Sequence, residues 1–198
     1  MKRRSYCLAL SSAGFTGLTG CLSTIGFNSD GYIRPDEKPD SIPGEFVCDK
    51  DGFEPHWVGY SEDHLHWGDV GDYSLRINAL EFEYGDTAEI ELTADDRGSD
   101  HKWNFEIYTE NGWRDVRGTT NEDDLIGYDD IGNLSDAEWR IELTEDGIIE
   151  AGVHQDELEV CSDLVSARYR FVYWGIGGAE TETGLENRGI AVAFDIEV

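Results

Sequence analysis

Beyond residue 46, hydrophobic and polar residues alternate with a period of two over much of the chain. Ala88, Ile90 and Leu92 alternate with Glu89, Glu91 and Thr93, and Trp103, Phe105 and Ile107 alternate with Asn104, Glu106 and Tyr108. Successive side chains of a strand point to opposite faces, so this pattern predicts half-buried strands with one apolar face. The same reasoning predicts strands at Leu75–Ile77–Ala79, at Trp139–Ile141–Leu143 and at Tyr169–Phe171–Tyr173. The cleanest alternation, Ile190, Val192, Phe194, Ile196 and Val198, predicts the last strand. After the Trp103–Tyr108 run comes Glu110-Asn111-Gly112, with Trp113 beginning the next extended piece. Asn-Gly tolerates the positive φ of a type I′ turn, so a hairpin is expected there. Gly175-Ile176-Gly177-Gly178 is expected to be a further hairpin turn. No stretch of ten or more residues carries a helical stripe. About seven short strands separated by turn signals predict an all-β, antiparallel sandwich.

Composition fits a packed core: hydrophobic residues make up 39% and aromatics 12% of the 198 residues, with six Trp. Charge is lopsided, 15 Lys plus Arg against 43 Asp plus Glu, a net of −28. Nucleic-acid binding driven by a basic surface is excluded, because it needs clustered Lys and Arg. Only four cations are Lys, and the anions are dispersed along the chain. Dispersed acid with little Lys resembles the protein style of haloarchaea, which live in multimolar salt. At about 1 M the Debye length is roughly 3 Å, so acidic self-repulsion is screened.

No acidic residue precedes Asp30, and Met1-Lys2-Arg3-Arg4 opens the chain as a cationic head before a short apolar stretch ending at Leu18. That stretch is too short to span a bilayer, which needs about 20 apolar residues. Arg3-Arg4-Ser5-Tyr6 is similar to a twin-arginine export signal. Leu18-Thr19-Gly20-Cys21 matches the lipobox of secreted lipoproteins, in which Cys21 becomes the N-terminus and carries lipid on its sulfur. Residues 1–20 are thus expected to be a signal peptide, and the protein to sit on the outer face of the cell membrane, held by lipid on Cys21. With Cys7 removed and Cys21 lipidated, Cys48 and Cys161 remain as one pair in an oxidising compartment. Their disulfide would close a loop of roughly 110 residues, worth about 4–5 kcal/mol in the chain-entropy picture. Pro35, Pro39 and Pro43 fall in a polar segment, so 21–45 is expected to be a flexible tether before a domain over 46–198.

The hairpin from Lys102 to Val116 resembles the central hairpin of bacterial immunoglobulin-like domains of secreted and cell-wall proteins. Leu164-Val165-Ser166-Ala167-Arg168-Tyr169-Arg170-Phe171-Val172-Tyr173 is similar to their penultimate strand, and Ile190 to Val198 to their last. The chain departs from the pattern at Ser166-Ala167 and in the inserts 119–135 and 144–163. The resemblance implies an immunoglobulin-like sandwich, a non-enzymatic binding or structural module with a protein or glycan partner in the envelope. It supplies no catalytic residues.

Candidate chemistry is sparse. His56, His64 and His66 lie within eleven positions, and on a strand His64 and His66 would share a face, the spacing that chelates Zn²⁺ or Cu²⁺. A metal- or solute-binding lipoprotein is therefore the alternative reading; otherwise no cofactor is expected. Asp123-Asp124, Asp129-Asp130 and Asp49-Lys50-Asp51-Gly52 lack calcium-loop spacing. No nucleophile elbow, His-Glu-X-X-His pair, phosphate loop or dinucleotide fingerprint is present. Trp57, Trp67 and Tyr60 read either as core or as an aromatic binding patch.

Overall fold

The computed structural model describes residues 39, 42–43, 50–56, 59–94, 98–121, 136–153, 155–181 and 184–198, with backbone alone for 177–181 and 184–187. The signal peptide with Arg3 and Arg4, Cys21, nearly all of the tether, Cys48, Asp49, Trp57 and the acidic pairs at 123–124 and 129–130 lie outside the described residues. Among the described residues no helix is long and apolar enough to cross a membrane.

The protein is an all-β sandwich. Its first sheet has the order β10(Ala137–Glu142), β6(Thr87–Thr93), β4(Tyr73–Ile77), β3(Asp69–Val70), all antiparallel. The second runs β2(Leu65–Trp67), β13(Gly184–Glu197), β12(Ala167–Thr181), β7(Trp103–Thr109), β8(Gly112–Asp115), with β5(Glu81–Glu83) also on β13. A small third sheet joins β1(Glu54–Pro55), β9(Arg117–Thr119) and β11(Glu159–Val160). All seven expected strands are present as β4, β6, β7, β8, β10, β12 and β13; the other six among the described residues are two or three residues long.

The alternation in sequence becomes the core. Leu75, Ile77, Ala88, Ile90, Leu92, Trp139 and Ile141 of the first sheet are buried against Trp103, Phe105, Ile107, Tyr169, Phe171, Tyr173, Ile190, Val192 and Phe194 of the second. Aromatic contacts cross the interface: the Trp139 and Phe171 ring centroids are 5.0 Å apart, while Phe171 stacks on Trp103 at 5.3 Å within its own sheet. At the start of β12 the Tyr169 hydroxyl donates to the Val165 carbonyl at 2.8 Å and accepts from the Val165 N–H at 3.1 Å. That tyrosine corner locks the crossing between sheets.

The structure refines several local expectations. The second sheet is mixed, because β2 and β5 both run parallel to β13, at Gly189–Ala191 and Asp195–Glu197. The chain leaves this sheet after β2, forms β3 and β4 in the other, then returns as β5, which covers the edge of β13 that would otherwise stand open. Gly175–Gly178 is not a turn but lies inside β12. Register shifts flank Ile176, Gly98 N–H donates to Gly175 O at 2.7 Å, and a Cβ on Gly175 would lie 2.2 Å from the Tyr173 hydroxyl, so close packing is what selects glycine there. At the other glycine turn the expected hairpin is present, with its two-residue loop at Glu110–Asn111 and not at Asn111–Gly112: Gly112, at φ 98°, already pairs with Thr109. Finally, the 144–163 insert contains a short helix, α1(Glu145–Glu150), capped by the Thr144 hydroxyl, which accepts from Gly147 N–H at 3.0 Å, and anchored by buried Ile148.

Candidate functional site

The outer face of the second sheet does not behave as a half-buried strand pattern predicts. Its outward positions include Asn104 and Glu106 on β7, Asp115 on β8, and Arg170, Val172 and Trp174 on β12, and all are buried. Cover comes from the chain preceding β2. Gly59 lies so close to the Trp174 indole that a Cβ would meet it at 2.5 Å. Tyr60 and the three-residue helix η1(Glu62–His64) follow, and Trp67 of β2 completes the layer.

Glu106 and Asp115 are direct partners across the β7–β8 ladder. Two carboxylates facing each other repel, and burial costs each far more unless a cation is at hand. Each has its own arginine. Arg117 donates through Nε to Asp115 Oδ1 at 3.2 Å and through Nη2 to Oδ2 at 3.1 Å, with Nη2 also reaching the Trp103 carbonyl at 2.8 Å. Its guanidinium lies 3.9 Å over the Trp103 ring. Asn104 adds an Nδ2 donor to Asp115 Oδ2 at 2.7 Å and accepts from Trp174 Nε1 at 2.6 Å.

Arg170, fully buried, serves the other carboxylate: Nε donates to Glu106 Oε2 at 2.6 Å and Nη2 lies 2.5 Å from the same oxygen. Tyr60 donates to Glu106 Oε1 at 2.7 Å and accepts from Arg170 Nη2 at 2.7 Å. On the solvent side Glu62 takes Nη1 at 3.2 Å and Nη2 in a fork. Three rings surround the guanidinium, Trp113 at 4.3 Å, Tyr60 at 5.8 Å and Trp67 at 5.9 Å, within cation–π range.

Burial pushes the Glu106 carboxyl up, reinforced by Asp115 and opposed by Arg170 and Tyr60. Burial likewise raises the Tyr60 phenol well above its ordinary value, with Glu106 adding to it, so Tyr60 stays a donor. Burial works against the charge on Arg170, but Glu106 and Glu62 outweigh it and hold the guanidinium protonated.

The residues singled out from sequence are dispersed. His56 follows β1 and is buried, its N–H bonded to the Arg117 carbonyl at 2.8 Å. His64 ends η1 instead of sharing a strand with His66, which lies in β2 opposite Ile190. No three His, Cys, Asp or Glu side chains converge as a metal site among the described residues. Cys161 is disulfide-bonded. Tyr60 and Trp67 are half-buried around Arg170, combining packing with partial exposure.

Arg170 and Glu106 escaped sequence reasoning because charges at the polar positions of a strand read as solvated. The available signal was their neighbours: Val172 and Trp174 on β12, and Ala191 and Ala193 on β13, fill the same outward positions with apolar side chains. No protein-family model, no curated protein and no solved structure matches the chain.

Proposed function

We propose that the protein is a non-enzymatic, immunoglobulin-like module of the cell envelope of a halophilic archaeon, exported and held at the outer membrane face by lipid on Cys21, where it binds or supports other envelope components. The observation that carries the reading is the sandwich itself. Sheet order β4–β6–β10 against β5–β13–β12–β7–β8, the tyrosine corner at Tyr169 and the buried Trp103 at the head of β7 support the immunoglobulin-like reading. Buried charges of the described part are bonded to one another, Glu106 to Arg170 and Asp115 to Arg117, as structural pairs. The Arg3-Arg4 head and the lipobox ending at Cys21 support the location. Cell fractionation tests it: wild-type protein should sediment with membranes, and Cys21→Ser should leave that fraction or retain its full unprocessed size. Unchanged level and size of the Cys21→Ser protein in membranes would overturn the anchor. Arg3→Lys with Arg4→Lys should block export.

A further inference from the structure

Glu106 alone balances the charge of Arg170 inside the sheet face, at 2.5–2.6 Å. Glu62 is thus a second anion on a cation already neutralised. Its own element gives it little further hold: its side chain is 58% exposed while that of Arg170 is 0% exposed, and it stands on a helix of three residues with no buried member. The Ser61 cap makes no side-chain hydrogen bond. What fixes the Glu62 carboxylate is the outward fork of Arg170.

We propose that Glu62 fills, from within the chain, a subsite for the carboxylate of an acidic sugar, which binds by displacing it. The inference names a ligand chemistry for the binding-module reading above and rests on that reading for its biological setting. The site joins two recognition elements. A planar guanidinium, locked from behind by Glu106 and Tyr60, presents two parallel N–H donors, the geometry that selects a carboxylate. Around it stand the half-buried rings of Trp113, Trp67 and Tyr60, with Trp67 and Trp113 centroids 6.4 Å apart, surfaces suited to the apolar face of a sugar ring. A single carboxylate on a ring fits one cation among aromatics. A multiply charged acidic peptide would leave its other charges facing a chain of net −28.

Self-occupancy lowers apparent affinity in proportion to the fraction of molecules in which Glu62 is displaced. The test is titration of purified full-length protein with glucuronate in molar NaCl, read by tryptophan fluorescence, with glucose and acetate as parallel arms. If Glu62 fills the fork in all but about 1–10% of molecules, Glu62→Ala should bind glucuronate roughly 10- to 100-fold more tightly than wild type. Glu62→Gln, which keeps the side-chain volume, should shift in the same direction, and it carries the test should Glu62→Ala fail to fold. Glucose should give no signal and acetate a weaker one. Equal affinity of wild type and folded variants, or glucose or acetate binding as well as glucuronate, would overturn the proposal. Membrane fractionation reports on the anchor and this titration on the Arg170 fork, so either can fail alone.

Discussion

Arg170→Met is the sharpest probe of the buried network. The substitution keeps a long unbranched side chain but strips Glu106 Oε2 of its contacts at 2.6 and 2.5 Å, leaving Glu106, 1% exposed, with the Tyr60 hydroxyl as its remaining strong donor. Removing one member of a buried ion pair costs about 3–5 kcal/mol, because the other stays desolvated. Glu106 has an escape, since it can take a proton. Burial already raises its pKa, and without Arg170 the rise is larger. A carboxyl whose folded pKa lies above its unfolded value of about 4.3 contributes stability at low pH that is lost as pH rises through the folded value. The penalty should therefore be smaller at pH 5 than at pH 8. Replacing both partners, Arg170→Met with Glu106→Leu, removes the stranded charge, and the double variant should lie at least about 2–3 kcal/mol closer to wild type than the sum of the singles. Urea unfolding in molar NaCl, followed by tryptophan fluorescence at both pH values, measures all three. Single penalties below about 1 kcal/mol, or an additive double variant, would refute the buried pair.

Tyr169→Phe removes the bonds of its hydroxyl to both polar groups of Val165 and should cost about 1–3 kcal/mol by urea unfolding, with little change in slope. The Tyr169 phenol is raised to about 12 by burial, and that of Tyr84 to about 12 by its hydrogen bond to Glu145, so both favour the protonated form in the fold. Their contribution is complete below pH 10 and is lost as pH rises toward 12; circular dichroism across that window should show a loss of stability that Tyr169→Phe with Tyr84→Phe flattens. Gly118→Ala places a Cβ 2.2 Å from the Glu54 carbonyl and 2.5 Å from Phe53 Cζ, and should lower the urea midpoint by the equivalent of about 1–3 kcal/mol. Thermal unfolding in dilute buffer and in molar NaCl should give a clearly higher midpoint in salt, because 43 acids face 15 basic residues; an unchanged midpoint contradicts the screening account.

The inner faces were legible because each long strand carries three or more alternating apolar residues, as at Ala88, Ile90 and Leu92, and such a run cannot shift by one residue without exposing the whole set. Strands β2 and β5 were not legible. Three residues carry no periodicity, and their parallel pairing with β13 is decided by contacts more than a hundred residues apart in sequence. Helix α1 is six residues long with Gly147 in its middle, a poor helix former in isolation; its Thr144 cap and the burial of Ile148 hold it. The site was hidden for a related reason. Glu106 and Arg170 each occupy a polar position on their own strand, and only the β7–β12 register, in which they are direct partners, makes them a pair.

That pairing also separates two kinds of charge in this acidic chain. Arg76 pairs with Asp69, Arg117 with Asp115, Arg140 with Glu89, Arg168 with Asp195, and Arg170 with Glu106 and Glu62. Scarce cations are thus placed where a forked donor fixes local geometry, which favours Arg over the point charge of Lys. The Arg117–Asp115 and Arg170–Glu106 pairs are buried on both sides, so salt screens these two pairs little. The exposed acidic excess is where salt acts, since a Debye length that shrinks from about 30 Å at 10 mM to about 3 Å at 1 M removes repulsion between neighbouring surface carboxylates. It follows that wild-type stability should climb with NaCl while the penalty of Arg170→Met stays constant across the same range. A penalty that fades with salt would mean that the Arg170–Glu106 pair is itself reached by solvent.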